Sequence, residues 1–213
     1  MTAGRHPLFA RFYAWLRPRM DSHGGAELRQ RLLAGLSGVA VEVGAGDGGN
    51  FAHYPVTVAS VLAVEPEPYL RQLATATART VEVPVEVVDA RAERVPLPDG
   101  AADAAVAALV LCSVADQSVV LRELHRVVRP GGQLRFLEHV QAPAGRPGMR
   151  RTQRLLDASI WPRLFGGCHC GRDTGTAIAA AGFVVDELER FTFPEGASLD
   201  PTGPCVLGRA TRR

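Results

Sequence analysis

A glycine-rich loop with carboxylates around it is the first group of residues whose types and spacing indicate chemistry. Gly44, Gly46 and Gly49 satisfy the G-x-G-x-x-G pattern, in which backbone amides approach a nucleotide, and Glu65 follows 21 residues after Gly44. The same loop also satisfies the G-x-G-x-G pattern of enzymes that use S-adenosylmethionine (SAM). The glycines alone therefore leave both NAD and SAM open.

Acidic residues in and beside this loop favour one of the two nucleotides. A pyrophosphate binds at helix N-terminal amides that have no anion nearby, whereas Glu42 precedes the loop and Asp47 lies inside it. SAM carries a cationic amine and a sulfonium, which carboxylates stabilise. The charges therefore predict that the loop binds SAM, with NAD as the weaker alternative. The structural alternative is a tight turn that binds no ligand.

Glu138 and His139 form a second candidate site, because they end a predicted strand. Ligands of open α/β sheets bind at the carboxyl ends of the strands. An imidazole at such a position can accept a proton near neutral pH, which makes His139 a candidate base. The structural alternative is a histidine of the core or of a loop that is hydrogen-bonded to backbone.

Cys168, His169 and Cys170 raise the question of a metal site. Structural zinc usually takes four ligands, with pairs of cysteines two to four residues apart, and the sequence shows no second pair of this kind. We therefore expect no metal, and we expect this segment to pack or to line a substrate pocket.

The elements that position these residues alternate between strands and helices. Short apolar runs predict strands at 39–43, 60–64, 85–88, 104–111 and 133–140, with a terminal antiparallel pair at 183–191 and 205–210. Helical spacing predicts helices at 8–20, 26–36, 68–78, 117–128, 150–165 and 174–181, and another that begins near Asn50. Strands that alternate with helices indicate βαβ units and a parallel sheet.

Composition excludes several classes of protein. The 213 residues are 46% apolar and 22% charged, as in globular domains, and the net charge of +2 requires neither a nucleic-acid nor a membrane partner. All 24 basic residues are arginine, so no lysine serves as a base or a phosphate ligand. The cysteines, Cys112, Cys168, Cys170 and Cys205, lack a secreted disulfide pattern, and the sequence shows neither a leader nor a membrane-spanning segment. We expect a reduced, cytoplasmic protein.

Two later segments resemble a known family. Residues 92–100 (AERVPLPDG), followed by Asp103 and an apolar strand, and residues 121–132 (LRELHRVVRPGG) resemble successive motifs of class I SAM-dependent methyltransferases of the type 11 group. The resemblance covers residues 38–140. It implies an α/β, Rossmann-like fold: a mostly parallel seven-stranded sheet with an antiparallel terminal strand and helices on both faces.

The resemblance divides one predicted domain, residues 1–213, into three parts. Residues 1–37 would form an N-terminal helical lid, residues 38–140 the SAM-binding core, and residues 141–213 the substrate-side helices and the terminal strand pair. The aromatic helix at 8–20 has arginines beside it, so it could instead lie on a membrane surface. A peripheral membrane contact therefore stays open.

Cofactor roles follow from the resemblance. Glu42 and the backbone of the glycine loop would hold the methionine part of SAM, and Glu65 would accept both ribose hydroxyls. The family often has Asp-Ala near the adenine where this chain has Arg91-Ala92, so Glu93 is an alternative contact to Ala92. The complete predicted cofactor set is Glu42, Gly44, Ala45, Gly46, Glu65, Pro66, Ala92, Glu93 and Leu111.

A closer resemblance concerns the methyl acceptor. Residues 109–114 (LVLCSV), 136–140 (FLEHV) and 164–168 (LFGGC) are similar to methyltransferase-like proteins that S-methylate small alkyl thiols. This similarity implies a small thiol as the acceptor, with His139 as its base and Glu138 orienting His139 or an adjacent group. The implied acceptor-binding residues are Cys112, Ser113, Trp161 and Phe165. Two alternatives stay open: an O-, N- or C-methyltransferase of a quinone, lipid or secondary metabolite, and a SAM-binding protein without transfer activity.

Overall fold

The computed structural model describes residues 6–213, so residues 1–5 of the predicted lid lie outside the described residues. A seven-stranded sheet runs through the structure in the order β3-β2-β1-β4-β5-β7-β6. Its strands are β1 (Gly38–Val43), β2 (Val58–Val64), β3 (Val85–Val88), β4 (Ala102–Ala108), β5 (Val128–His139), β6 (Phe183–Thr192) and β7 (Pro204–Arg212).

Helices of the described range connect the strands and cover the sheet. They are α1 (Pro7–Met20), α2 (Ala26–Leu33), α3 (Pro68–Ala78), α4 (Gln117–Val127), α5 (Pro147–Asp157), α6 (Trp161–Leu164) and α7 (Thr174–Ala180). A kinked turn, Asp21–Gly25, joins α1 to α2.

The pairing of the strands confirms the predicted fold class. Strands β1 to β5 pair in parallel, whereas β7 lies between β5 and β6 and is antiparallel to both. The strand order reverses between β1 and β4, because one half of the sheet continues from β1 to β3 and the other from β4 to β6. In open sheets of this kind, ligands bind at that switch point, beyond the carboxyl ends of the strands.

Helices cover both faces of the sheet, as predicted. Side chains alternate between the faces along β5. Phe136 is buried in a core shared with α4 and α7, and Leu137 is buried in a second core shared with α2 and α3. Two apolar layers therefore hold the central strands and fix where their carboxyl ends meet.

The predicted helix near Asn50 is wrong. Only one tight helical turn, Phe51–His53, follows the glycine loop. Tyr54 is already extended, because a residue before proline disfavours helical backbone and Pro55 follows it. The chain therefore leaves the helix after one turn.

Several predicted boundaries also differ from the structure, and two of these differences have a clear local cause. The helix expected at 150–165 is divided into α5 and α6, since Pro162 has no N–H to continue a helical ladder and starts a new one instead. Strand β4 ends at Ala108, before the predicted Leu111, because Leu109 takes the left-handed conformation with φ 57°. The chain turns at Leu109 and begins the loop that faces the switch point.

Helix α1 leaves large apolar side chains exposed. Leu8 is 84% exposed and Trp15 57%, and the guanidinium of Arg19 lies over the Trp15 ring. No helix in residues 6–213 is both long and apolar enough to cross a membrane. The peripheral membrane contact and the cytoplasmic location stay predictions.

Candidate functional site

Two loops meet at the switch point. Residues 44–49 follow β1, and residues 109–116 follow β4. A side chain at Gly44 would overlap the side chain of Val110 in the second loop, and Gly44 has φ 65°, a conformation that residues with a side chain rarely adopt. Glycine at this position therefore allows the two loops to touch.

Glu65 ends β2 and reaches the glycine loop. It is 5% exposed, and its carboxylate accepts hydrogen bonds from the N–H of Gly46 and the N–H of Glu67, each at 2.8 Å. Burial raises the pKa of Glu65 to about 7, although both N–H groups favour the charged form. A carboxylate has about four acceptor positions, so each oxygen keeps one for a ligand hydroxyl.

Glu42 lies near the end of β1 inside a buried hydrogen-bond network. Its carboxylate accepts the amide of Asn50 and the hydroxyl of Tyr54, both at 2.8 Å, and Arg29 donates to Asn50 at 2.7 Å. Burial raises the pKa of Glu42 to about 7. Arg29, Asn50 and Tyr54 were not predicted as site residues, since no sequence motif indicates that α2 places an arginine in this network.

Helix α1 lies across the glycine loop. Nε of Arg17 donates to Oδ2 of Asp47 at 2.6 Å, and a side chain at Gly46 would meet the Tyr13 ring at 3.2 Å. The other oxygen of Asp47 is buried and has no hydrogen-bond partner within the described residues. Loop and helix therefore enclose a partly unsatisfied carboxylate, which a cationic ligand group would satisfy.

The remaining predicted cofactor residues are more scattered. Ala92 and Glu93 lie in a turn between Arg91 and Arg94, after β3. Ala92 is buried in the core on the α4 side, and Glu93 pairs with Arg91 at 3.3 Å. The separately placed residues are Ala45, which is buried beside the loop glycines, Pro66, whose carbonyl accepts from Arg71, and Leu111, whose side chain belongs to the apolar core.

The residues at the switch point fit SAM. Glu65 would accept the ribose hydroxyls, while Glu42 and Asp47 would place negative charge near a cationic amine and a sulfonium. The same carboxylates would repel a pyrophosphate. Donor chemistry and burial at this edge of the sheet therefore both favour SAM over NAD.

Replacing Glu65 with alanine should weaken the binding of S-adenosylhomocysteine, the product form of the cofactor, by about 1–3 kcal/mol. That is the usual free energy of charge-assisted hydrogen bonds that are lost. Isothermal titration calorimetry measures the change directly. Glu187→Ala, an exposed change on β6, is the control and should bind like the parent. Unchanged affinity in Glu65→Ala would remove this residue from the cofactor site.

Cofactor affinity should also rise as the pH increases through 7. The pKa of Glu65 in the folded protein is raised to about 7, so its carboxyl is protonated below that pH and ionised above it. The nearby Glu67 carboxylate adds to this rise, and the Arg71 guanidinium opposes it. Affinity for S-adenosylhomocysteine should fall by up to about tenfold per pH unit below pH 7. Calorimetry between pH 6 and 8 tests this, with Glu65→Gln expected to show a shallower slope; a flat parent profile would contradict it.

Glu138 holds the loop after β4 in place. It is fully buried, and its carboxylate accepts three backbone N–H groups: those of Val110 at 3.0 Å, Leu111 at 2.9 Å and Cys112 at 3.1 Å. Burial raises the pKa of Glu138, and these N–H groups oppose the rise. The carboxylate is therefore engaged with backbone amides and acts on the position of the loop.

His139, the next residue, lies between two thiols. Its Nδ1 is 3.6 Å from Sγ of Cys168 and 4.0 Å from Sγ of Cys112. Burial lowers the pKa of His139, but the Cys112 thiol and the acidic groups nearby outweigh it, so the pKa is raised overall. The Cys112 thiol also contacts the hydroxyl of Ser113 at 3.6 Å. The structure thus brings together all four residues predicted for the floor of the acceptor site, Cys112, Ser113, Glu138 and His139, and adds Cys168.

An apolar cleft opens beside His139. It lies between the Asp21–Gly25 turn, helix α2 and the ends of β4, β5 and β7, and its empty space of about 350 Å³ includes open solvent. Its apolar lining includes Leu28, Leu109, Leu137 and Phe193. The lining is mostly apolar, although Asp21 and Arg29 also contribute to it.

Trp161 and Phe165 do not line this cleft. Their rings stack on each other at 3.8 Å, and Phe165 meets the ring of Phe12 of α1 edge-on. The pair therefore holds α6 against α1. Their predicted role as walls of the acceptor site stays a prediction.

Cys168 and Cys170 point into different surroundings. Cys168 faces His139, whereas the Cys170 thiol lies 3.5 Å from Oδ1 of Asp157, which also accepts the Cys170 N–H. The pair suggested by sequence spacing is therefore not one site. A different set of residues, distant in the chain, surrounds Cys168.

Comparisons with known proteins agree with this geometry. A family model described as a methyltransferase domain matches residues 41–136. Thiol S-methyltransferase TMT1B of Rattus norvegicus is 35% identical over 175 residues, which cover 81% of this chain and 70% of that protein. Demethylmenaquinone methyltransferase of Thermus thermophilus is 31% identical over 137 residues, which cover 64% of this chain and 59% of that protein.

A solved structure shares the fold. Geranyl diphosphate C-methyltransferase of Streptomyces coelicolor, in complex with Mg²⁺, geranyl diphosphate and S-adenosylhomocysteine, superimposes with a TM-score of 0.70 at 19% identity, over 90% of this chain and 79% of that one. Fold, glycine loop and sequence similarity converge on one assignment. The chain belongs to the family of SAM-dependent methyltransferases that contains TMT1B, and it is an enzyme that uses SAM to methylate a small molecule.

Proposed function

We propose that this enzyme transfers the methyl group of SAM to the sulfur of a small, apolar thiol. The observation that carries the proposal is the position of His139, which lies against two buried thiols and also lines the apolar cleft. The name of the Rattus norvegicus relative, a thiol S-methyltransferase, supports the same acceptor class. The chain spans 70% of that relative, including the segments around Cys112, His139 and Cys168.

SAM supplies an electrophilic methyl group on a sulfonium. What the protein adds is mainly proximity and alignment, because the leaving group is already good. Glu65 would hold the ribose hydroxyls, and Glu42 and Asp47 would stabilise the positive end of the cofactor. Helix α1 covers the glycine loop through Tyr13 and Arg17, and so keeps water away from it.

The acceptor side follows from the cleft. Leucines and a phenylalanine would bind an alkyl or aryl group by the hydrophobic effect, while the His139 wall faces the sulfur. A free thiol with a pKa near 8.5 is mostly protonated at pH 7, so the site must favour the thiolate. His139 is the residue that we assign to this activation. Glu138 is a positioning residue, because it fixes the backbone of Cys112.

Matched acceptors test the proposal. The purified enzyme is incubated with SAM and with small alkyl thiols, or with the alcohols and amines of the same carbon skeletons, and methylated products are identified by mass spectrometry. Methylation of the thiols, with little or none of the alcohols and amines, is the expected result. Methylation of a quinol or another oxygen, nitrogen or carbon acceptor, with the thiols left unmodified, would overturn the thiol assignment in favour of the reaction class of the Thermus thermophilus relative.

A further inference from the structure

Three potential metal ligands from distant parts of the chain converge at the end of β5. They are Sγ of Cys112, after β4, Nδ1 of His139, which ends β5, and Sγ of Cys168, after α6. The three ligand atoms lie within 4.8 Å of one another, and both cysteines are buried. We call this group the Cys112–His139–Cys168 cluster. It contains two thiol sulfurs and one imidazole nitrogen, the ligand types that zinc prefers.

The surrounding structure fixes the loop that carries Cys112. Glu138 accepts the Cys112 N–H, and the His169 N–H donates to the Cys112 carbonyl at 2.8 Å. The guanidinium of Arg172 donates to the carbonyls of Leu111 and Val114, both at 2.6 Å. Backbone geometry of this kind holds the thiol in place before any ligand binds.

The loop that carries Cys168 is fixed from the other side. Gly167 has φ 89°, and a side chain there would overlap the backbone carbonyl of Ser113, so only glycine lets the two loops pack this closely. Asp157 accepts the N–H groups of Cys170 and Gly171 at 2.9 and 3.0 Å. The cluster is therefore preorganised by contacts outside it, as metal sites are.

We propose that the Cys112–His139–Cys168 cluster binds one Zn²⁺ and leaves its fourth coordination position to the sulfur of the methyl acceptor. Zinc sites with three protein ligands and one open position are catalytic, whereas structural sites are closed by four. Of the three ligands, His139 lines the apolar cleft, and we place the open position on that side of the cluster. The metal site stands on the cluster geometry alone; its use on the acceptor rests on the proposed thiol methylation.

The distances agree with tetrahedral zinc. Zn–S bonds of about 2.3 Å and Zn–N bonds of about 2.0–2.1 Å place neighbouring ligand atoms roughly 3.5–3.8 Å apart. The Cys168 to His139 distance is 3.6 Å and the Cys112 to His139 distance is 4.0 Å. Both distances to His139 are within a few tenths of an ångström of this range, and the two sulfurs lie within 4.8 Å of each other.

Zinc at this position would explain how the acceptor is activated. The thiol R–SH coordinates as the thiolate and releases its proton to water, since a metal-bound thiol is deprotonated. The sulfur lone pair forms the new bond to the methyl carbon as the bond between that carbon and the cofactor sulfonium breaks. The products are R–S–CH₃, a neutral thioether that leaves the metal, and S-adenosylhomocysteine.

The expectation of no metal considered only the pairing of Cys168 with Cys170. The structure directs Cys170 to Asp157 and supplies Cys112 and His139 in its place. Their distance along the sequence hides this set from any spacing rule. The tertiary contacts of Cys112, His139 and Cys168 therefore indicate a metal site where sequence spacing predicted none.

The test begins with the metal content of the purified full chain in a thiol-free reductant, measured by mass spectrometry after dialysis. We expect stoichiometric zinc in the parent. Cys168→Ser should bind zinc at least about tenfold more weakly, the scale of lost metal-site interactions. Cys170→Ser is the matched control, a buried cysteine two residues away whose thiol contacts Asp157, and it should keep its zinc. A parent that holds no zinc and binds none when zinc is supplied overturns the proposal.

Cobalt substitution tests the open position without relying on variants that could fail to fold. Co²⁺ bound by the parent should show thiolate-to-cobalt charge-transfer absorption, and an added alkyl thiol should shift it. No charge-transfer band, or a band unchanged by the thiol, contradicts the proposed site or its open position. Thiol methylation by a zinc-free enzyme would overturn the role of zinc in activating the acceptor while the proposed function stands. Zinc binding without thiol methylation would overturn the proposed function and leave the metal site standing.

Discussion

Glu138→Ala should lower the free energy of unfolding by about 3 kcal/mol or more. The substitution removes the acceptor of three backbone N–H groups, those of Val110, Leu111 and Cys112, inside a fully buried site. Each buried donor left without a partner costs about 1–3 kcal/mol. Urea unfolding, followed by circular dichroism, gives the difference.

Two further variants make the Glu138 result specific. Glu138→Gln keeps one carbonyl oxygen for two of the three N–H groups and should lose clearly less stability than the alanine variant. Glu187→Ala, on the exposed side of β6, should stay within about 0.5 kcal/mol of the parent. An alanine variant of Glu138 that unfolds at the parental urea concentration with the same slope would show that this carboxylate does not support the loop.

His139→Ala should lower the turnover of a small thiol at pH 7 by about 100-fold and leave the affinity for S-adenosylhomocysteine nearly unchanged. A thiol with a pKa near 8.5 is about 3% thiolate at pH 7, so loss of thiolate formation alone costs about 30-fold. Loss of the positioning of the sulfur would account for the remainder. Initial rates at saturating SAM and thiol measure the turnover. Calorimetric titration with S-adenosylhomocysteine measures the cofactor affinity.

His169→Ala is the matched control for His139→Ala. His169 is the residue after Cys168, and its backbone N–H, which the substitution keeps, donates to Cys112. This variant should turn over within a few-fold of the parent. The deficit of His139→Ala should also shrink as the assay pH rises, because the thiol then ionises in solution. A His139→Ala enzyme that matches the parent at pH 7 would place the activation of the acceptor elsewhere.

The fold was predictable because its signals are local. The apolar runs predicted all seven strands, although β5 begins at Val128 and not at the predicted residue 133, and residues 68–78 predicted α3 with both ends correct. The failures have local causes as well. The helix after the glycine loop ends at Tyr54 because Pro55 follows, and the Pro162 break in the predicted helix at 150–165 was visible in the sequence but not used.

Sequence spacing located only the part of the candidate site that surrounds the glycine loop. Glu65 and the loop glycines have a fixed spacing relative to β1, so a motif locates them. The acceptor half depends on contacts between Cys112, His139 and Cys168, which three separate loops and strands bring together. The hydrogen bonds that Glu138 accepts from three backbone N–H groups were also not predictable, since hydrogen bonds to backbone leave no pattern in residue types.

Helix α1 shows how local signals and tertiary contacts differ in what they predict. The spacing of its aromatic residues indicated a helix that packs over another part of the protein. It did not indicate which part. The structure shows Arg17 on Asp47 and Tyr13 against Gly46, so the helix covers the loop that resembles a SAM-binding loop. Its exposed side, with Leu8 and Trp15, is a separate surface.

A single acceptor that carries both a thiol and a hydroxyl group tests the central claim most directly. The enzyme is given a mercapto-alcohol and SAM with a deuterated methyl group, and the position of the label in the product is determined by mass spectrometry and NMR. Transfer of the labelled methyl to sulfur, with one S-adenosylhomocysteine formed for each product, is what SAM-dependent thiol methylation predicts. A label found on oxygen or carbon, or no labelled product from an enzyme that binds S-adenosylhomocysteine, would contradict it.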